Sequence, residues 1–398
     1  MPRRRPSRPA HRTRPARRAL IGLAALAVAL LAACSSGPLP PNLAGQDGHG
    51  AHGANVTAPL PQTPLRDGER FIEVRTPAAY TPTPKSAGSE DTRCFLLDPG
   101  VGADALVAGV TVIPGNPNLV RQVFVFTVAP GAVSRAQAQD ASDPGAGWSC
   151  PDALDARVVG GDLDDTDWLA SWVPGSGESL FGPKLGVPLA AGGRLLVQIR
   201  YAADAGPGSD QSLVRLRLSP AGAQAVHALL LAAPVELPCR PGVAGELCRR
   251  DASVAEVRAR LRGAPASADL LHGPCGPVEA GPTQRCARAL SHPIVVRAVT
   301  GAMSVLGRSI SIDVDKGSAA ATRVLDIPVW DLTEARPRTL DDPVSVAAGQ
   351  SMTVTCTHDQ ALRDAAPATR RQPEQYVLWG AGAPDDLCLG IVFWQPAQ

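Results

Sequence analysis

Beyond residue 68 the apolar residues come in short runs, alternating or β-branched, set apart by Gly, Pro, Asn and Asp. "ALVAGVTVIPGNPN", "QVFVFTV", "RLLVQIRYA", "SLVRLRL", "HPIVVRAV", "SISIDV", "PVSVAAGQSMTVTC" and "YVLWG" each read as a strand ended by turn residues. One of them poses a question. In "LVRQVFVF" the period of two puts Gln122 on one face with Val120, Phe124 and Phe126. Arg121 falls on the other face with Leu119, Val123 and Val125. Each apolar face therefore carries one polar group that needs a partner if buried. Only "SVAEVRARLRG" has a helical period. There Ser253 and Glu256 form a capping box, Val254, Val257 and Leu261 share a face, and Gly263 stops the helix.

Short strands and turns over two lengths of about 150 residues predict an all-β chain. The expected architecture is two tandem antiparallel β-sandwiches of jelly-roll type, residues 69–222 and 223–398, with the break near Ser219–Ala225. The helix is expected in a short insertion in the second sandwich, near 239–286.

The N-terminus has a different pattern. An arginine-rich start leads into "ALIGLAALAVALLAAC", an apolar run too short to span a bilayer. It ends in Leu31-Ala32-Ala33-Cys34, a bacterial lipobox, so residues 1–34 are expected to be a lipoprotein signal with Cys34 as the lipidated residue. The acyl chains would anchor the protein to a membrane of the cell envelope, facing periplasm or exterior. Residues 35–68, rich in Gly, Pro and Ala, read as a tether. His49 and His52 in "GHGAHG" could take up a metal weakly, which gives one alternative reading, a metal-handling lipoprotein.

Charge adds an exclusion. Thirty-eight Lys and Arg against 37 Asp and Glu leave a formal net charge of +1, with no basic concentration that would suit nucleic acid. Cysteine adds a compartment. Setting Cys34 aside leaves eight of the nine cysteines, an even number without a CxxC pair, as in an exported disulfide-bonded chain. Cys239, Cys248, Cys275 and Cys286 bracket the helix, and their pairing stays open. The acidic run Asp162–Trp168 lacks the glycine and terminal glutamate of a calcium loop. No nucleophile elbow, zinc-protease, P-loop or dinucleotide fingerprint occurs.

The order of "RCFLLDPG", "VIPGNPNLVRQVFVF" and "WLASWVPGSGESLFGPKLGVPLAAGGRLLVQIRY", followed by "LGRSISIDV", "DIPVWDL", "GQSMTVTCTHD" and "LWGAGAPDDLCLG", resembles the copper type II, ascorbate-dependent monooxygenases. These include the peptidylglycine alpha-hydroxylating and dopamine beta-monooxygenases. The resemblance covers most of residues 70–398. It implies two mononuclear copper sites, one of three histidines and one of two histidines and a methionine, with ascorbate and oxygen as co-reactants. It also implies the disulfides Cys356–Cys388 and Cys94–Cys150.

Carried over position by position, the three histidines of the first half fall on Arg121, Gln122 and Arg200, and in the second half the two histidines fall on Ala302 and Ser304 and the methionine on Leu387. All six are changed. A guanidinium offers only donors and repels a metal cation, and alanine and leucine offer no ligand atom. His227, His272, His292 and His358 are expected to lie elsewhere; three of them together would revive the enzyme reading. The resulting expectation is a non-catalytic binding or structural module with no metal or other cofactor. Its partners would be a small ligand or an envelope protein. The alternative is a divergent copper monooxygenase using other ligands. Arg121 and Arg200 are expected either to share a small anion or carboxylate, to pair with an acid such as one of Asp162–Trp168, or simply to point to solvent or into ordinary ion pairs.

Overall fold

In the computed structural model, the described residues are 62–397 apart from 85–89, 151–153, 155–165, 203–206, 262–264, 367–368 and 371. Cys34, His49 and His52 lie outside them, as does most of the acidic run from Asp162 to Trp168.

Strand Val120–Val128 shows why this chain folds into sheets. Seven of its nine residues are buried, so both faces are covered and the run is nearly continuously apolar. It lies between Arg194–Tyr201 and Trp168–Trp172 in a five-stranded antiparallel sheet completed by Asp91–Leu97 and Trp148–Ser149. The other sheet of the first half takes Arg70–Arg75, Leu213–Leu218, Ala105–Ile113 and Leu185–Leu189, with Ser179–Leu180 beside the third of these. Gln224–Ala225 closes it with a short parallel pairing.

The second half supplies two four-stranded antiparallel sheets. One runs His227–Ala232, Leu389–Pro396, Ile294–Ala302 and Arg338–Val346. The other runs Thr283–Ala289, Ser351–His358, Gly307–Val314 and Thr322–Ile327. Glu236–Leu237 pairs separately with Val377–Leu378.

The all-β class holds, with strands well in excess of helix. The expected division into two tandem sandwiches does not. The small sheets form a four-bladed, propeller-like ring, and the described residues belong to one compact unit. The physical reason is that the two halves bury surface against each other. Phe181 meets Phe393 edge to face at 4.7 Å. Ser171 Oγ donates to the Ala335 carbonyl at 3.2 Å, and the Gly182 amide donates to Thr339 Oγ1 at 2.8 Å. One apolar core runs from Cys94 to Trp394. Burying this seam costs each half the polar outer face that a free-standing sandwich would need.

Helices were the less legible elements. Pro130–Ala141 buries no residue, so it has no apolar stripe for the sequence to display; proline opens it at the first turn. The expected helix spans Arg250–Arg260, and its N-cap position, Arg249, lies four residues before the Ser253 of the capping box. Ser253 is inside this helix, buried, and its hydroxyl donates to the Leu247 carbonyl at 2.8 Å, so it does not cap. A second helix, Ser267–Cys275, follows in the same insertion.

Four disulfides tie the chain: Cys94–Cys150, Cys239–Cys248, Cys275–Cys286 and Cys356–Cys388. The first and last are the pairs that the resemblance implied, and the middle two settle the bonding around the helical insertion. Such a set belongs to an oxidising compartment, periplasmic or extracellular. No helix among the described residues is long and apolar enough to cross a membrane.

Candidate functional site

The polar pair on "LVRQVFVF" resolves through a β-bulge. Val120 pairs with Tyr201 and Gln122 with Arg200, leaving Arg121 as the extra residue between them. Gln122 and Arg200 are thus cross-strand neighbours, both buried. Arg200 Nη1 donates to Gln122 Oε1 at 2.5 Å, and its Nε donates to Glu90 Oε2 at 3.1 Å. Its Nη2 also donates to that carboxylate oxygen. The guanidinium is neutralised by Glu90, just ahead of strand Asp91–Leu97. Among the described residues its acid is Glu90. Arg121 is half-buried at the bulge and has an interaction of its own. Of the expectations for this pair, Arg200 follows the ordinary ion pair, its guanidinium bonded to Glu90 and Gln122.

The three positions singled out in the second half do converge, around Asp386. Asp386 is completely buried. Its Oδ1 accepts the backbone N–H groups of Ser304 and Leu387, both at 2.7 Å, and its Oδ2 accepts that of Leu306 at 2.8 Å. A carboxylate holding three amides fixes the turn after strand Ile294–Ala302 against the segment entering Leu389–Pro396. Ala302, Met303 and Leu387 pack in the core beside it. Gly307 permits the close approach of this turn, because a Cβ there would lie 2.8 Å from Trp330 Cδ1 and 2.9 Å from Met303 Cβ.

His358 also belongs to this cluster, contrary to the expectation that it lies elsewhere. Its Nε2 is 3.1 Å from the Leu387 carbonyl and 3.4 Å from Asp386 Oδ1. Both neighbours accept only, so in the neutral ring Nε2 carries the hydrogen and Nδ1 carries the lone pair. That Nδ1 is buried and has no hydrogen-bond partner. Two features of the sequence pointed here: His358 lies two residues after Cys356, and Asp386 two before Cys388, the residues joined by a disulfide. The bond brings the two polar residues together as a consequence of strand geometry.

The other histidines go to different places. His227 and His292 each lie against Trp394, at centroid distances of 5.2 and 5.0 Å, while His272 Nε2 is 2.8 Å from Glu236 Oε1. Among the described residues no group of three or more His, Cys, Asp or Glu is arranged to hold a metal ion. The set at the first expected copper position is two donors-only or amide side chains around a carboxylate, which does not fit copper. At the second, one imidazole and a carboxylate already committed to three amides do not fit it either.

The Asp386 cluster gives a direct prediction. Asp386→Asn replaces one acceptor oxygen with an N–H donor facing backbone donors, so at least one buried amide loses its partner. The expected loss of folding stability is about 1–3 kcal/mol, read as a lower urea midpoint at unchanged slope. No change would mean that water reaches these amides in the native state.

Next to the cluster lies a groove of about 440 Å³. Its walls include Leu237, Pro238, Pro241 and Pro282, and its lining also takes in Arg240, Arg308, His358 and Asp359. Gln360 Nε2 holds one wall in place through the carbonyls of Pro238 at 3.2 Å and Gln375 at 2.8 Å.

No family model and no curated protein matches the chain. Among solved structures it is similar to a peptide-N(4)-(N-acetyl-β-D-glucosaminyl) asparagine amidase, at 9% identity and a TM-score of 0.31, over 83% of this chain and 97% of that one. It is also similar to a Paenibacillus xanthan lyase, at 10% identity and 0.16, over 81% and 26% of the two chains. A third is the coconut allergen cocosin, at 10% and 0.14, over 82% and 85%. At such identities and scores these likenesses assign neither fold nor activity.

Proposed function

We propose that this chain is a lipid-anchored binding or structural module of the bacterial envelope, related in its motif order to the copper type II monooxygenases but without their copper chemistry. The observation that carries the reading is Arg200. A permanently charged guanidinium, buried and bonded to Glu90 and Gln122, stands where a copper-binding imidazole would be needed. Breaking that buried pair to admit a cation would leave a carboxylate and a guanidinium unmatched, at a cost of several kcal/mol. In the second half the corresponding positions supply an alanine methyl, a serine and a leucine around Asp386, whose oxygens are already committed to amides. Membrane attachment through Cys34 belongs to the same reading, supported by the lipobox and by disulfides that suit an exported chain.

The test is copper retention by the full chain after loading with Cu(II), reduction with ascorbate and desalting. The expected result is no tightly held copper and no hydroxylation of added substrates. Tight copper with the spectroscopic signature of imidazole ligands would sink the reading and restore the divergent monooxygenase alternative. Copper lost on replacing His49 and His52 together would instead make the protein a metal-handling lipoprotein that works through its tether.

A further inference from the structure

We propose that the groove over His358 binds a small neutral molecule that presents a hydroxyl or amide N–H on an apolar body. The proposal deepens the binding-module reading and rests on it. Three observations lead to it.

The first is the floor. His358 lines the groove and its side chain is fully buried. With Nε2 committed to the Leu387 carbonyl, the ring offers Nδ1 as a lone pair with no donor against it. A buried acceptor left unmatched is costly, so a donor that reaches it gains more than it would in water. A neutral donor suits the site, because the charges lining it are already paired, Arg308 with Asp359 and Arg240 with Glu374 and Asp364.

The second is the wall. Pro238, Pro241 and Pro282 with Leu237 form a surface of fixed shape, with little side-chain freedom to lose when a ligand is covered. Gln360, which also lines the groove, donates to the Pro238 carbonyl at 3.2 Å, and the His358 amide donates to the Pro282 carbonyl at 2.7 Å. A rigid apolar wall with one polar group at its base is the usual composition of a small-molecule site.

The third is the entrance. Arg308 Nη2 lies 3.1 Å from Asp359 Oδ2, and both residues line the groove. The Arg308 side chain is 56% exposed, which makes this pair weak and easily opened. Arg240 is held more firmly, with Nε on Glu374 Oε2 at 2.8 Å and Nη1 on Asp364 Oδ2 at 2.5 Å. One guanidinium is thus free to swing and the other is not. Nδ1 is buried in this arrangement, and a ligand would reach it by displacing Arg308.

A matched pair of probes tests this, using the full chain labelled with ¹⁵N in histidine and kept in chelator. Benzyl alcohol has an apolar ring and a donor; benzyl methyl ether has the same ring and none. Benzyl alcohol is expected to shift the Nδ1 resonance of His358 and to bind about tenfold more tightly than the ether, the worth of one hydrogen bond to a buried acceptor. Arg308→Ala is expected to strengthen that binding without changing the melting temperature, since the residue is exposed. Equal affinity for the two probes, binding that leaves Nδ1 unmoved, or no binding to either protein overturns the proposal. Weaker binding by Arg308→Ala overturns the gate. Copper plays no part in these titrations, so their failure is distinguishable from retained copper, which would sink the broader reading.

Discussion

Arg217→Leu is expected to remove about 3–5 kcal/mol of folding stability, the cost of leaving buried carboxylates without their cation. Arg217 is completely buried on strand Leu213–Leu218. Nε and Nη2 grip the two oxygens of Glu178 at 2.7 and 2.8 Å, and Nη1 donates to Glu69 Oε2 at 2.7 Å. The remaining N–H groups go to the carbonyls of Thr63 at 2.7 Å and Pro64 at 3.0 Å, so all five donors are used. Gly109 makes room, because a Cβ there would sit 2.7 Å from Glu178 Oε1. Leucine keeps much of the volume and none of the donors. The measurement is urea denaturation of Arg217→Leu alone and with Glu69→Gln and Glu178→Gln added. Neutralising the two acids should recover part of the loss; a triple variant no better than the single one would show that packing, and not charge, dominates.

The same site sets a pH dependence. Burial alone would raise the Glu69 carboxyl, but the Arg66 amide and the Arg217 guanidinium more than offset it, and its pKa ends below the ordinary value. A carboxyl depressed in the folded state contributes stability that is fully present above the unfolded glutamate value (~4.3) and is lost as pH falls through the folded value. That part of the acid sensitivity should vanish in Glu69→Gln. It should shrink in Arg217→Leu, where the carboxylate keeps the Arg66 amide but has lost the guanidinium.

The second large effect is expected at Cys94–Cys150. Removing both sulfurs as alanines should cost about 4 kcal/mol on the chain-entropy account, because the cysteines are 56 residues apart. The closed loop holds strands Ala105–Ile113 and Val120–Val128, which belong to different sheets, so its closure constrains both sheets of the first half. The turn before Cys150 is equally tight. Gly147 has a φ of 67°, and a Cβ there would lie 2.2 Å from the Cys94 carbonyl oxygen. Cys239–Cys248, with a separation of 9, makes the comparison. Its removal should cost about 3 kcal/mol. Both differences are read from denaturant midpoints of the double-alanine variants. Equal losses would mean that something other than loop closure governs the bond's contribution, such as native-state strain or residual structure in the unfolded chain.

Strand existence was legible because its cause is local. Alternating or β-branched runs between Gly and Pro turns predict strands at Val120–Val128, Arg194–Tyr201 and Ser351–His358, and strands form there. Pro130–Ala141 escaped notice for the same physical reason in reverse, since a helix that buries nothing leaves no apolar period. The capping box at Ser253 misled because a buried serine inside a helix and a capping serine look alike in one dimension. What distinguishes them is whether the hydroxyl faces its own helix or, as here, the Leu247 carbonyl.

The composition of each candidate site is legible in one dimension: arginine, glutamine, alanine, serine and leucine stand at the positions where the resemblance asks for metal ligands. So are an even set of cysteines and the polar interruption of an apolar strand. What those residues pair with follows from the folded chain. A bulge of one residue separates Arg121 from Gln122 and delivers Arg200 to Glu90, an acid 110 positions away. The seam between the halves joins what would have been two sandwiches, through contacts such as Phe181 on Phe393. His358 and Asp386 come within 3.4 Å because a disulfide and two strands bring them there. Periodicity is written in neighbouring residues and can be read from them. Partnership between distant charges depends on register and twist accumulated across whole sheets, and no short stretch of sequence carries it.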